Sequence, residues 1–326
     1  MKHTQGTAIL AAHKYLLDNY PEVFVIGQGL WSPWYVGSTM TDLDKLYGKE
    51  RIIDSPVSEV AVTGAALGAS LYGYKPIVVH PRMDFMILAV DQIVTQAAKW
   101  SSMFGGQSSP NITIRGIVNR GGEQGAQHSQ SLHSWFAHIP GLRVVMPTTV
   151  RDARDLLIAS VLCPDPVLFI EDRWLYDEEE ELEPITKELN LINEKSKVII
   201  PGNELTVVAN SYSCLLAKNV IEKLNRKGYS IELIDLRILN PLDYDDIVKS
   251  VEKTGRLLSI DGGWTNCGLA GEIIAGVSER IEPSTLLCKP VRLTLTDAPA
   301  PTSRPLEESY YLNEETLVEN IKHILK

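Results

Sequence analysis

The first half of the chain alternates short apolar runs with segments of helical periodicity. The runs that predict strands cover residues 23–27, 77–80, 112–115, 144–147 and 167–171. Helical periodicity over residues 8–19 and 88–100 predicts helices between them. Because continuously apolar strands are typical of parallel sheets covered on both faces, this half predicts a parallel sheet with helices on either side.

The same alternation returns in the second half. It predicts strands at 205–209, 231–235 and 256–261, and helices at 213–227, 244–253, 268–281 and 317–325. Between the halves, the acidic run 177–181 and the polar stretch up to Lys197 indicate a solvated linker. We therefore predict an α/β protein of two domains, 1–185 and 201–326, joined by a linker at 186–200. Each domain is expected to be a mostly parallel sheet with helices on both faces.

One predicted helix, from about residue 60 to 71, is built almost entirely of small and apolar residues. Ser55-Pro56 predicts a turn before it, and Gly64 and Gly68 would allow close packing against another backbone. Glu59 lies at its first turn, where the helix dipole favours a negative charge and burial opposes it. A buried carboxyl group usually has a partner or a task. Taken alone, Glu59 favours a helix cap or a core salt bridge.

Three further segments change this interpretation. They are 81–99, beginning Pro-Arg-Met-Asp-Phe; 125–131, Gly-Ala-Gln-His-Ser-Gln-Ser; and 231–243, Ile-Glu-Leu-Ile-Asp-Leu-Arg-Ile-Leu-Asn-Pro-Leu-Asp. With the Glu59 segment they resemble, in order and spacing, the beta subunit of the thiamine-diphosphate-dependent 2-oxoacid dehydrogenases. These are the decarboxylating first components of the pyruvate, branched-chain 2-oxoacid and acetoin dehydrogenase complexes. The resemblance runs from about residue 4 to the C-terminus. It implies a transketolase-like pyrimidine-binding domain followed by a transketolase C-terminal domain.

The sequence lacks the Gly-Asp-Gly motif followed by Asn that holds magnesium and the diphosphate in these enzymes. It also lacks the phosphate-binding loop, and Gly27-Gln-Gly29 after the first strand has no third glycine to complete the dinucleotide fingerprint. Gly121-Gly122 and Gly262-Gly263 lack the surrounding motif as well and predict loop or turn positions. The resemblance therefore implies that half of the thiamine diphosphate site, including most of the Mg²⁺ site, comes from an alpha subunit. We expect a heterotetramer of two alpha and two beta chains, active only when assembled, in which two copies of this chain meet.

The resemblance also assigns roles to individual residues. The glutamate matching Glu59 hydrogen-bonds the aminopyrimidine ring of the cofactor and carries the proton that favours its imino tautomer. Val57 matches an apolar wall of that pocket, and Phe85 matches the aromatic side chain that packs on the ring. Pro81 matches a position that lines the same pocket, where relatives have Met or Gln. His128 matches a histidine that handles the substrate carboxylate or the acyl intermediate, for which its adjustable charge is suited.

Two further features stay open. Arg82 either meets a substrate anion or pairs with an acid of the partner subunit. Some relatives bind K⁺ through backbone carbonyls at positions matching Ile112, Ser160, Val161, Cys163 and Asp165. Carbonyl ligands do not depend on the side chain, so the sequence neither supports nor excludes this site, and Pro164 departs from the family pattern.

Composition limits the kinds of partner and the cellular compartment that we expect for this chain. No apolar run approaches the length needed to cross a bilayer, and the N-terminus lacks the apolar core of a signal peptide. The four cysteines are dispersed, which favours a reducing, cytoplasmic location. The net charge of −10 argues against nucleic acid or an anionic membrane as the main partner.

The implied activity is decarboxylation of a 2-oxoacid and transfer of the acyl group to a lipoyl group on an acyltransferase. Pro81, Arg82 and Asp261 depart from the family pattern and keep a second activity open: a two-subunit thiamine carboligase that uses an aldehyde or sugar acceptor. A third alternative is a scaffold subunit that does not use Glu59.

Overall fold

The computed structural model describes residues 2–326, which form two compact units. One unit contains the chain up to Arg120, Trp135–Glu194 and Leu239–Pro241. The other contains Gly121–Ser134, Lys195–Ile238 and Leu242–Lys326. The predicted domain bounds, 1–185 and 201–326, follow chain order only, and they stay a prediction.

The strands are numbered in chain order. They are β1 (Lys2–Thr4), β2 (Val23–Gly27), β3 (Tyr35–Ser38), β4 (Ile52–Asp54), β5 (Lys75–His80), β6 (Thr113–Val118), β7 (Arg143–Val145), β8 (Val167–Asp172), β9 (Glu179–Glu181), β10 (Lys197–Ile200), β11 (Leu205–Ala209), β12 (Ile231–Asp235), β13 (Ile238–Asn240), β14 (Leu257–Trp264) and β15 (Val291–Leu295).

The helices are numbered in the same way. They are α1 (Gln5–Asn19), α2 (Leu43–Tyr47), α3 (Glu59–Ser70), α4 (Met83–Met86), α5 (Ala98–Met103), α6 (His133–Ala137), α7 (Val150–Leu162), α8 (Ser211–Asn225), α9 (Asp245–Thr254), α10 (Leu269–Ser278), α11 (Arg304–Tyr310) and α12 (Glu314–Ile324).

The first unit is built on a seven-stranded sheet in the order β13-β7-β8-β6-β5-β2-β4. Strands β4, β2, β5, β6, β8 and β7 pair in parallel along this order. Every residue of β6 and β8 is buried, as expected for strands covered on both faces. In the register, Gly27 lies opposite both Asp54 and Val79, so β2, β4 and β5 end at one edge of the sheet.

The second unit has a five-stranded sheet in the order β10-β12-β11-β14-β15. Strands β12, β11, β14 and β15 are parallel, and β10 joins β12 in antiparallel orientation. Its core joins apolar residues of β11, β12 and β14 to those of α8 and α12. The predicted α/β class, with two mostly parallel sheets, is confirmed. No helix within residues 2–326 is long and apolar enough to cross a membrane.

Three local predictions differ from the structure. Gly262 and Gly263, expected in a loop or turn, lie inside β14. Residues 197–200, expected to be linker, form β10. The single helix predicted over 88–100 is instead a 3₁₀ turn at Ile87–Ala89, a π-helical stretch at Asp91–Ala97 and then α5. This break changes the backbone hydrogen-bond register without changing the apolar pattern.

A buried ionic network crosses the first sheet between β6 and β8. Arg115 donates to both carboxylate oxygens of Glu171, from Nε at 2.5 Å and from Nη2 at 2.8 Å. The Tyr176 hydroxyl donates to Glu171 at 2.6 Å, and Arg115 Nη1 lies 3.3 Å from His13 Nε2. Burial would lower the pKa of Arg115, but the charge of Glu171, the hydrogen bonds to Glu171 and the contact with Tyr176 together outweigh burial and raise it. The guanidinium is therefore charged and has its counterion beside it.

Candidate active site

Glu59 is a buried carboxylate at the start of α3. The helix begins at this residue, and its preceding residue, Ser58, makes no capping hydrogen bond through its side chain. The side chain of Glu59 is only 7% exposed, and its Oε1 accepts a hydrogen bond from Gln28 Nε2 at 3.1 Å. Glu59 has no lysine or arginine ion-pair partner among the salt bridges found in the described chain. The structure therefore places a carboxylate at the positive end of α3 with a neutral amide partner.

The turn that carries Gln28 is fixed by its neighbours. Asp54 Oδ1 accepts the backbone N–H groups of Gly29 at 2.6 Å and Leu30 at 3.2 Å. A Cβ at Gly27 would lie 2.3 Å from the carbonyl oxygen of Val79, so only glycine fits between β2 and β5. This close packing holds Gln28 at the end of β2, where its amide reaches Glu59.

His80, at the end of β5, is a second neighbour of α3 that the sequence reasoning missed. It is buried, and its Nε2 lies 3.1 Å from Thr63 Oγ1. Burial lowers the pKa of His80 to about 4, although the charge of Glu59 acts in the opposite direction. His80 is therefore neutral at pH 7. The sequence signal for both Gln28 and His80 is a polar residue directly at the carboxyl end of a buried strand.

The residues expected to line a pyrimidine pocket differ in exposure. Val57 is 76% exposed and Phe85, in α4, is 38% exposed, so both present apolar surface. Pro81 is buried, and its carbonyl accepts a hydrogen bond from Asn119 Nδ2 at 2.9 Å. Arg82 is partly buried, and its Nη1 has no hydrogen-bond partner in the described chain.

Helix α3 has two unlike faces. Val62, Ala66 and Leu67 are buried, whereas Val60 is 48% exposed. A Cβ at Gly68 would meet no atom within 4 Å. The predicted helix is confirmed, but within residues 2–326 no backbone atom of another element lies within 4 Å of a Cβ placed at Gly64 or Gly68.

His128 belongs to the second unit, whereas Glu59, Val57, Pro81 and Phe85 belong to the first. It is half-buried in a segment without regular structure, and its backbone N–H donates to Gly125 O at 3.3 Å.

The five positions matching a potassium site lie at the end of α7 and at the start of β6. Ser160 and Val161 are in the last turn of α7, Cys163 and Asp165 follow it, and Ile112 precedes β6. The Ile112 carbonyl accepts the N–H of Val167 at 2.9 Å, and the Ser160 carbonyl accepts that of Cys163 at 3.3 Å. Two of the five carbonyls are thus already in hydrogen bonds. Over residues 2–326, no three His, Cys, Asp or Glu side chains are grouped as metal ligands.

Two family models match this chain. Residues 2–178 match the model of the transketolase pyrimidine-binding domain, and residues 194–317 match that of the transketolase C-terminal domain. The mitochondrial pyruvate dehydrogenase E1 component subunit beta of Saccharomyces cerevisiae is 35% identical over 99% of this chain and 88% of its own length. The chain belongs to the family of pyruvate dehydrogenase E1 beta subunits.

Other relatives are consistent with this assignment. The pyruvate dehydrogenase E1 component subunit beta of Rhizobium meliloti is 33% identical over 93% of this chain and 65% of its own length. A solved structure titled split gene transketolase, inactive beta4 tetramer, has a TM-score of 0.78 at 19% identity, covering 99% of this chain and 98% of that chain. That likeness concerns the fold. The predicted class, an E1 beta subunit of a thiamine-diphosphate-dependent 2-oxoacid dehydrogenase, is confirmed.

Proposed function

We propose that this chain and an alpha subunit together form the thiamine diphosphate site of a 2-oxoacid dehydrogenase, with Glu59 as the residue that carries the essential proton. The observation that carries this proposal is the buried carboxylate of Glu59, held by a neutral amide at the carboxyl edge of the first sheet. In open α/β sheets, ligands bind beyond this edge. Because neither Gln28 nor the neutral His80 can neutralise Glu59, the carboxylate is suited to share a proton with a ring nitrogen.

The residues around Glu59 fit an aminopyrimidine. Val57 and Phe85 present apolar surface that a flat heterocycle could cover, while Glu59 supplies the polar partner. When bound, thiamine diphosphate supplies the carbon nucleophile that adds to a 2-oxo group and accepts the electrons released with carbon dioxide. In this proposal, Glu59 holds and returns the proton at the pyrimidine, Phe85 and Val57 orient the ring, Pro81 lines its pocket, and His128 meets the substrate carboxylate or the acyl group.

The diphosphate and its Mg²⁺ are assigned to the alpha subunit. The open face of α3 supports a partner there, because Val60 and the glycine positions leave an apolar helix surface in water. We propose that an alpha chain or a second copy of this chain covers this face in a heterotetramer. The acyl group would then pass to a lipoyl acyltransferase.

Two finer assignments complete the proposal. Potassium would bind the carbonyls of Ile112, Ser160, Val161, Cys163 and Asp165, in which case the two carbonyls already hydrogen-bonded would use their second lone pairs. A cytoplasmic location is supported by the four cysteines, which are all free thiols.

The test is co-expression with the presumed alpha subunit, followed by assays with a panel of 2-oxoacids. We expect decarboxylation that needs both chains and Mg²⁺, with reduction of an added lipoyl domain. Carbon–carbon bond formation with an aldehyde or sugar, without lipoyl reduction, would instead identify a carboligase. An assembled complex that turns over no 2-oxoacid would contradict the proposal.

Binding by the isolated chain gives a second test. Because the metal and diphosphate ligands are assigned to the partner, calorimetry should detect no tight Mg²⁺-dependent binding of thiamine diphosphate. Tight binding by this chain alone would show that the proposed division of the site is wrong.

A further inference from the structure

We propose that the second unit positions His128 by holding both ends of the segment that carries it. This segment, Gly121–Ser134, is called the His128 loop. In the chain it follows β6 and includes the first two residues of α6, yet its contacts group it with the second unit. The positioning residues are Glu307 at one end and the His133–Asp261 pair at the other. The inference rests on the role proposed above for His128.

The first anchor is the buried carboxylate of Glu307 in α11. Its two oxygens lie 3.2 and 3.1 Å from the backbone nitrogen of Glu123, which donates to them. Arg304 adds to this contact, because its backbone N–H donates to Glu123 Oε1 at 3.2 Å and its guanidinium lies 3.7 Å from Glu123 Oε2. Both carboxyl oxygens of Glu307 face the same backbone N–H, and hydrogen bonds to a carboxylate are among the stronger ones in proteins, so Glu307 holds the backbone of the loop itself.

The backbone at this anchor is in an unusual conformation. Gly122 has φ +68° and Glu123 has φ +62°, a left-handed conformation that is strained for a residue with a side chain. Such a conformation persists where its surroundings enforce it, and the bond to Glu307 does so. Close packing adds a further restraint, because a Cβ at Gly125 would lie 2.8 Å from Thr302 Oγ1, just before α11.

The second anchor is a chain of polar contacts inside the second unit. His133 Nε2 lies 2.8 Å from Asp261 Oδ1, and His133 Nδ1 lies 2.9 Å from Ser131 Oγ. All three residues are buried. Asp261 Oδ1 also accepts the N–H of Gly263 at 2.9 Å, and a Cβ at Gly263 would lie 3.1 Å from His133 Cε1. The Asp261-Gly262-Gly263 sequence, which departs from the family pattern, thus makes room for the histidine.

The charge at this anchor is stabilised locally. Burial would raise the pKa of Asp261, but the charge of His133 and hydrogen bonds from His133 and the backbone outweigh burial and lower it. The carboxylate is therefore ionised at neutral pH. Next to it, the backbone N–H of Leu269 at the start of α10 donates to Ser134 Oγ at 3.1 Å.

His128 lies between these two anchors and is only half-buried. Its position therefore depends on how firmly the loop ends are held. A reacting group displaced by about 1 Å can lose on the order of 100-fold in rate. Glu307 and Asp261 should accordingly affect turnover although neither needs to touch the substrate.

Hydrogen–deuterium exchange on the full chain tests the anchoring directly. We expect Glu307→Gln to speed backbone exchange over residues 124–132 by about 10- to 100-fold, as loss of a charge-assisted bond predicts. Asp261→Asn should act on the same residues. Glu308→Gln is the matched control, because Glu308 is the exposed neighbour on α11 and carries the same charge. Unchanged exchange in Glu307→Gln would overturn the proposal, even if Asp261→Asn does not fold.

Kinetics of the assembled enzyme test the consequence. Glu307→Gln should lower kcat by about tenfold or more, while the dissociation constant of thiamine diphosphate and assembly with the alpha subunit stay unchanged. A purely structural role would not separate these quantities. A loosened loop with unchanged kcat would overturn the positioning role. If the wild-type complex turns over no 2-oxoacid, the proposed function fails, and the exchange experiment still decides whether the loop is anchored.

Discussion

Removing the negative charge from the Arg115–Glu171 pair tests the energetics of the first sheet. Glu171→Gln keeps the shape of the side chain but leaves the Arg115 guanidinium buried without its counterion. No neighbour in the network can replace the charge. Burial raises the pKa of Tyr176 well above its usual range, and burial with the charge of Arg115 lowers the pKa of His13 to about 3, so both are neutral.

The size of the effect follows from leaving the Arg115 guanidinium buried without a counterion. Breaking a buried ion pair by removing one partner costs about 3–5 kcal/mol. For a unit of this size, each kcal/mol of lost stability lowers Tm by about 2–4 °C, so we expect Glu171→Gln to lower Tm by about 6–20 °C. Urea and thermal unfolding followed by tryptophan fluorescence would measure the free energy and the Tm, because every tryptophan except Trp264 lies in the first unit.

The matched control is an exposed pair of the same unit. Asp42→Asn removes the carboxylate that pairs with Lys45 at 2.5 Å, where both side chains are exposed. We expect this change to alter the free energy of unfolding by less than about 1 kcal/mol. If Glu171→Gln costs no more than Asp42→Asn, the reasoning from burial is wrong.

Three further predictions concern the site and its surroundings. In the assembled enzyme, Glu59→Gln should lower turnover by about 100- to 10,000-fold with little change in cofactor affinity. An unchanged rate of thiazolium proton exchange in this variant would show that Glu59 has a structural role. Val60→Asp on the open face of α3 should change the free energy of unfolding of the isolated chain by no more than about 0.5 kcal/mol but prevent assembly. Light scattering would detect the loss of assembly, and normal assembly would argue against a partner on this face. The pKa of His80 is lowered from 6.5 to about 4 and that of His13 to about 3, so the unfolded chain takes up protons first as the pH falls. The contribution of each histidine to the free energy of unfolding should be complete above pH 6.5 and fall below that pH by about 1.4 kcal/mol per pH unit. Urea midpoints measured between pH 7 and 5 should therefore depend less steeply on pH in His80→Gln than in the wild type.

The sequence predicted best those elements whose signal is local. Strands β2, β11 and β12 have the predicted bounds, since each is a short, largely apolar run that ends abruptly. Helix α7 was not predicted, because Asp152 and Arg154 are buried charged residues that obscure its apolar face. Arg154 is satisfied by Asp155 at 2.7 Å and by the Glu183 carbonyl at 2.7 Å, contacts that no periodicity reveals.

Within the candidate site, Glu59 was found through its motif, whereas Gln28 and His80 were not. Their proximity to α3 arises because β2 and β5 are neighbours in the sheet, although the strands lie far apart in the chain. In the sequence, the glycines around Gln28 indicate only an incomplete nucleotide motif. The attachment of the His128 loop to the second unit is non-local for the same reason, since Glu307 and Asp261 lie more than a hundred residues further on.

Strand β13 has a consequence for synthesis on the ribosome. It lies beside β7 in the first sheet, yet in the chain it follows β12 of the second sheet. During synthesis, the edge of β7 therefore stays uncovered until the chain has been made up to residue 241. At typical elongation rates this interval is on the order of ten seconds. An open strand edge invites pairing with another nascent chain, and the three-residue length of β7 limits this risk. A fragment that stops in the predicted linker would keep that edge open permanently.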